Sequence, residues 1–356
     1  MTGIAPGRVN LIGEHLDYLG GRCLPMALSQ TTSARVTLRE DDRLVLTSGE
    51  WSWEGSAADL SPESVEGWPA YVAGVLWALD VRAGMDVAIS SDVPVGAGLS
   101  SSAALECSVA VAVDAALSLG TSGDELVTAC IRAENEFVGA PTGGLDQAVS
   151  VFGEVGHGLL VDFAGHGQRR ELVPFAPAAH GLALLVVDTR VEHAMTDGSY
   201  GQRRDETDDA ARRLGVALLA EACSLPAEDL AALPSPLDRR ARYVVEEMAR
   251  VDAFASALRS DDWDAVGPLM DASHAGASHD YEISCEELDV TVEIAREAGA
   301  VGARMTGGGF GGSAIALVPS ERVQAVRAAV ATGFAARGWR EPGFIEAQPG
   351  AGAHLS

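Results

Sequence analysis

The sequence predicts an α+β protein in two halves, and three observations carry that prediction. The chain has 356 residues, more than one compact core of ordinary size holds, so one large or two medium domains are expected. Strand-like and helix-like periodicities interleave along the first half. The region from about 205 to 280 then turns acidic, Ala-rich and helical throughout, which marks a second half beginning near residue 180. The expected division is 1–178 and 179–356, with no flexible linker between them.

Taken in chain order, Val9 to Ile12 is an apolar run that suits a short buried strand. Residues 35–47 alternate as a strand and turn would, and 87–91 and 182–188 read as short buried strands. Helical stretches are expected over 101–119, 122–138, 205–222, 236–259 and 285–298. No repeat at periods of about 20–50 residues is visible.

Composition narrows the chemistry. Acids outnumber bases by 51 to 25, a net charge of −26, which argues against nucleic acid and anionic membrane as partners. Every base is Arg. With no Lys, the chain has no Walker A lysine, no Schiff base and no lysine to pair phosphates. The five cysteines are scattered without C-x-x-C spacing, so they read as idle thiols of a reducing compartment. No apolar run reaches the roughly 18 residues of a membrane span and no basic-then-apolar leader opens the chain, so a cytoplasmic protein is expected.

Four segments carry chemistry. The first, Gly7 to Tyr18, packs Arg8, Glu14, His15 and Asp17 around Gly13 at the end of an apolar run. Carboxylates with a histidine suit a ligand made of hydroxyls; the plainer alternative is a solvated loop. In the second, Pro94 to Ala103, a Gly-x-Gly turn leads through three serines into an apolar helix. A helix start with its free N–H groups holds phosphate. One serine would suffice as a cap. In the third, Glu134 lies on a helix and Asp146 follows a Gly-Gly turn, either as a helix cap or as a carboxylate aimed at a ligand. The fourth, Arg304 to Ser313, holds five glycines in six positions, a flexible turn or a second backbone cradle.

In this order and spacing, these segments resemble the galactokinases, within the superfamily that also holds homoserine, mevalonate and phosphomevalonate kinases. The stretch Asp280 to Asp289 and the terminal run Gln348 to Ala353 are similar to the same family. The resemblance implies a two-domain small-molecule kinase fold with the active site in the interdomain cleft. It implies transfer of the γ-phosphoryl group of ATP to the anomeric hydroxyl of galactose, with Mg²⁺. Other sugars, such as N-acetylgalactosamine or arabinose, and a non-catalytic galactose sensor are the alternatives.

Carried over residue by residue, the resemblance makes Arg8 and Asp146 the catalytic pair. Glu14, His15, Asp17, Gly143 and Tyr200 would contact the sugar, with Asp17 and Tyr200 on the 4-hydroxyl and Glu14 and His15 on the 6-hydroxyl. Pro94, Gly96, Gly98, Leu99, Ser100, Ser101, Ser102 and Ala103 would hold ATP, and Ser102 and Glu134 the metal. Asp146 would act as general base, or would orient the hydroxyl while Arg8 stabilises transition-state charge. Leu16 and Leu19 stand where the family usually has Thr and Asn, which puts the shape of the sugar pocket in question.

Overall fold

The computed structural model describes residues 1–165, 169–191 and 198–356. The first half is built on a mixed sheet. Its strands are β1 (Thr2–Ile12), β2 (Arg22–Leu38), β3 (Arg43–Ser48), β4 (Trp51–Ser56), β5 (Met85–Ser91), β6 (His157–Asp162) and β7 (Arg169–Pro174). β1 and β2 pair antiparallel, and the bulges between Pro6 and Arg8 and between Asn10 and Ile12 bend the strand where the first motif begins. β5 follows β2, then β3 and the edge strand β4, while β6 pairs with the start of β2 and carries β7. Among the described residues the α-helices of this half are α1 (Trp68–Ala78), α2 (Ser101–Leu117), α3 (Gly123–Arg132) and α4 (Leu145–Phe152). α2 lies on β1 and β2, and its Val109 and Val113 share a core with Val36, Leu46 and Val87 of the sheet.

The second half holds an antiparallel sheet of β8 (Leu182–Asp188), β9 (Gly302–Thr306), β10 (Ser313–Pro319) and β11 (Gly343–Ala347), in the order β11-β8-β10-β9. Its helices are α5 (Ser199–Leu214), α6 (Ala227–Ala231), α7 (Leu237–Arg259), α8 (Trp263–Ala275), α9 (Glu286–Glu297) and α10 (Val323–Arg337). The last strand, β12 (His354–Leu355), returns to pair with β1. One buried cluster spans both halves, joining Val9, Leu11 and Ile12 of β1 to Val186 of β8 and Val244 of α7. No described helix is long and apolar enough to cross a membrane.

Several expected elements differ in extent. Val9 to Ile12 is the end of an eleven-residue strand, because alternation upstream is broken by Pro6 and Gly7 and hides the pairing. The stretch 122–138 splits into α3 and a π-helical turn, Ala133–Val138. The region 205–280 is helical but interrupted, since Gly215 ends α5 in a left-handed conformation. Leu16 and Leu19 are 0 % and 2 % exposed and belong to the shared core, so neither reshapes the cleft directly.

Candidate active site

A cleft of about 260 Å³ opens where the end of β1, the loop before α2, the loop before α4 and the β9–β10 turn converge. The predicted catalytic, sugar-side and metal residues all line it, as do Gly96 and the loop from Gly98 to Ser102. Pro94 and Ala103 lie outside the lining, and Ala103 is fully buried in the core.

Arg8 and Asp146 form a two-pronged ion pair at the centre. Arg8 Nε donates to Asp146 Oδ1 at 2.8 Å and Nη2 to Oδ2 at 2.9 Å. Arg8 Nη1 donates to the carbonyl of Gly98 at 2.6 Å, so the guanidinium is locked to the loop before α2. Asp146 is not a helix cap: Gly144 holds the cap position of α4, and the Asp146 side chain turns to Arg8 and to the hydroxyl of Ser100. That resolves the choice the sequence left open in favour of a carboxylate facing the cleft.

The loop before α2 does not cap its helix with a serine either. Ser100 sits at the cap position in a left-handed conformation and makes no capping hydrogen bond. The first-turn N–H groups of α2 therefore remain available at the cleft, with the partial positive charge of a helix start. Gly7 allows the loop to come this close, since a Cβ there would meet the Leu99 carbonyl at 2.6 Å.

Glu134 lies on the π-helical turn, whose extra residue re-aims the side chain relative to α3. Burial, then the neighbouring charge of Asp146, raise its pKa, and hydrogen bonds from Gln147 and Ser102 offset part of the rise. Gln147 Nε2 donates to Glu134 Oε2 at 2.5 Å and to Glu106 Oε2 at 3.1 Å. Among the described residues no three His, Cys, Asp or Glu side chains gather into a metal cage. A hydroxyl and one carboxylate in hydrogen-bond contact fit a Mg²⁺ held mainly by nucleotide phosphates, as that ion prefers.

On the opposite wall, Glu14 is 2 % exposed and ion-paired with the fully buried Arg304, while its Oε1 accepts from Gly307 N at 3.2 Å. Burial raises the Glu14 pKa and Arg304 pulls it back. Arg304 also faces Glu247 at 3.9 Å, and Glu247 Oε1 accepts from Gly13 N at 3.0 Å. His15 has both ring nitrogens engaged, Nδ1 with the Tyr18 hydroxyl at 2.7 Å and Nε2 with the Gly308 carbonyl at 3.0 Å. Because a carbonyl only accepts, Nε2 carries the proton and Nδ1 accepts from Tyr18. Burial lowers the His15 pKa to about 4, so the ring is neutral at pH 7.

Asp17 is half-buried against Gly143, where a Cβ would lie 2.1 Å from Asp17 Oδ2. A side chain at 143 would displace the Asp17 carboxylate, which occupies that space. Burial, then the charge of Asp146, raise the Asp17 pKa to about 6. Tyr200, at the start of α5, closes this end with its ring 5.0 Å from that of His15. Residues 192–197, shortly before Tyr200, lie outside the described residues.

Sequence reasoning missed the groups that hold these side chains. Glu247, Glu106 and Gln147 are 0 % exposed. Glu247 is hidden among the many charged residues of α7, whereas Glu106 interrupts the apolar α2 and is the one signal available in the sequence. Asn10 also lines the cleft, with an amide that makes no hydrogen bond among the described residues.

Family models match at three places. "GHMP kinases N terminal domain" covers 70–154, "GHMP kinases C terminal" covers 254–336, and "Galactokinase galactose-binding signature" covers 1–37. A galactokinase of Streptomyces coelicolor is 46% identical over 98% of this chain and 92% of its own. The chain belongs to the galactokinases. A second galactokinase, from Mycobacterium tuberculosis, is 43% identical over 98% of this chain and 97% of its own. The crystal structure of Lactococcus lactis galactokinase complexed with galactose superposes with a TM-score of 0.92 at 34% identity, covering 99% of this chain and 94% of that one. A mevalonate kinase superposes at 0.71 with 18% identity over 98% of each chain, a likeness of fold. The two-domain α+β kinase fold expected from the sequence is the fold of this galactokinase.

Proposed function

We propose that the protein transfers the γ-phosphoryl group of ATP to the anomeric hydroxyl of galactose, giving galactose 1-phosphate and ADP. The observation that carries this is the Arg8–Asp146 pair, set between a free helix start on one wall and a hydroxyl-binding set of side chains on the other. Asp146 Oδ2 already accepts from Arg8 and Ser100, whereas among the described residues Oδ1 accepts only from Arg8 Nε. A carboxylate oxygen accepts two hydrogen bonds, so Oδ1 keeps a place for the anomeric hydroxyl. Arg8 puts a fixed positive charge beside the transferring phosphoryl group, where charge shifts in the transition state.

In this reading the N–H groups at the start of α2 hold the phosphates, and Ser102 and Glu134 hold Mg²⁺. The metal, when bound, neutralises phosphate charge. Asp17 and Tyr200 take the 4-hydroxyl, and Glu14 with His15 forms the 6-hydroxyl end. The chain divides functionally at 178/179 into a nucleotide half and a second half that supplies the glycine turn. The protein works in the cytoplasm, in keeping with its free cysteines. ADP release with ATP and Mg²⁺ across a panel of sugars tests the reading. Galactose should stimulate release and yield a 1-phosphate. A folded protein that releases no ADP with any sugar of the panel rules the kinase out.

A further inference from the structure

Ser100 could serve as a helix cap, as a phosphate ligand or as a partner of the catalytic pair, and the geometry distinguishes these roles. Its backbone is left-handed, with φ 58° and ψ 50°, a conformation that costs any residue with a Cβ. Nothing is gained by capping, because the side chain makes no bond to the α2 backbone. Instead the hydroxyl donates to Asp146 Oδ2, the oxygen that also accepts from Arg8 Nη2. The two preceding residues meet the same pair: the Gly98 carbonyl accepts from Arg8 Nη1 at 2.6 Å and the Leu99 carbonyl from Arg8 N at 3.0 Å. Three consecutive residues of the loop are thus fastened to Arg8 and Asp146. A left-handed turn at the third throws the hydroxyl back across the cleft, and a strained residue persists where its surroundings over-determine it.

We propose that Ser100 is a positioning residue for Asp146 rather than a phosphate ligand: its hydroxyl fixes the rotation of the carboxylate so that Oδ1 faces the sugar hydroxyl. The proposal rests on the reading of Arg8 and Asp146 as the catalytic pair. It also ties the nucleotide loop to the reacting end of the sugar, so that loop geometry and carboxylate geometry are set together.

Ser100→Gly and Ser100→Ala test it, because both remove the hydroxyl and only the alanine keeps the backbone strain. The glycine variant should melt above the alanine variant. Both should lose about ten-fold in kcat, as expected for a hydrogen bond to a charged group, with KM for ATP within about two-fold of the parent. In the Asp146→Asn background, Ser100→Gly should cost little further, since the two residues then act as one unit. A raised KM for ATP with unchanged kcat makes Ser100 a phosphate ligand and overturns the proposal. So does parent-like turnover of Ser100→Gly while Asp146→Asn is inactive. Independent, additive losses in the double variant overturn it as well. Parent-like turnover of Asp146→Asn would instead remove the catalytic-pair reading, and the proposal with it.

Discussion

The two walls of the cleft are held in different ways. The wall formed by residues 94–103 is made of main chain: glycines at 96 and 98, carbonyls turned to Arg8, and the open start of α2. The wall formed by residues 13–18 is made of side chains locked by other side chains. Glu14 is held by Arg304 from β9, and His15 by Tyr18, itself 3.0 Å from the hydroxyl of Tyr281. Main-chain donors recognise any phosphate and are indifferent to most side-chain changes. Buried side chains can tell one hydroxyl from another, but each needs partners, and most of those partners, Arg304, Gly307, Gly308 and Tyr281, come from the second half of the chain. The first wall should therefore fail when backbone geometry is disturbed and the second when a single buried partner is removed.

The largest expected effect lies where the walls meet. Asp146→Asn keeps the shape of the side chain and removes its charge, so Arg8 loses its counter-ion and Oδ1 its acceptor strength. Turnover should fall about 10²–10⁴-fold, the range for a positioned acid–base group, while ATP still binds. Single-turnover rates at saturating substrates measure this. An asparagine variant with parent turnover would mean that neither wall acts through Asp146.

Arg304→Met should break the side-chain wall alone. It leaves Glu14 and Glu247, 2 % and 0 % exposed, without the cation between them. Removing one partner from a buried pair costs roughly 3–5 kcal/mol, to be read by urea unfolding. Ser102→Ala, on the main-chain wall, should change stability little. Equal stability in the two variants would erase the contrast between the walls.

The same contrast explains what the sequence could tell. The elements that face the cleft are legible because their residue types are unusual for their setting: five glycines around Phe310, three serines after Gly98, two acids and a histidine beside Gly13. The packing behind them is not. Arg304 stands in a recognised motif, yet its pairing with Glu14 joins residues 290 apart in sequence. Glu247 is one of many acids in α7, and only its 0 % exposure sets it apart. The π-helical turn at Glu134 reads as ordinary helix, because an added residue per turn leaves no compositional mark. Asp146 looks like a cap in sequence, and the distinction rests on where Gly144 starts α4.

The smallest expected effect is a pH dependence that belongs to the side-chain wall. Burial, then Asp146, place the Asp17 pKa near about 6, above the ordinary carboxylate value of 3.8. A raised folded-state value means that the stability this group contributes is fully present below the unfolded value and is lost as pH rises through about 6. If Asp17 takes the 4-hydroxyl as proposed, galactose pulls the other way, because a charged carboxylate is the better acceptor. At saturating ATP and Mg²⁺, kcat/KM for galactose should therefore climb by up to about ten-fold per pH unit below that value and level off above it. The rise in melting temperature caused by galactose should grow over the same window. Asp17→Asn removes the titration while keeping the shape, so its profile should be flat there and its preference for galactose over glucose reduced. On the proposed reading, glucose turns its 4-hydroxyl away and would leave the carboxylate unpaired, which would be the source of that preference. If Asp17→Asn keeps both the inflection near pH 6 and the sugar ratio, another group titrates, and the 4-hydroxyl is read elsewhere on the wall.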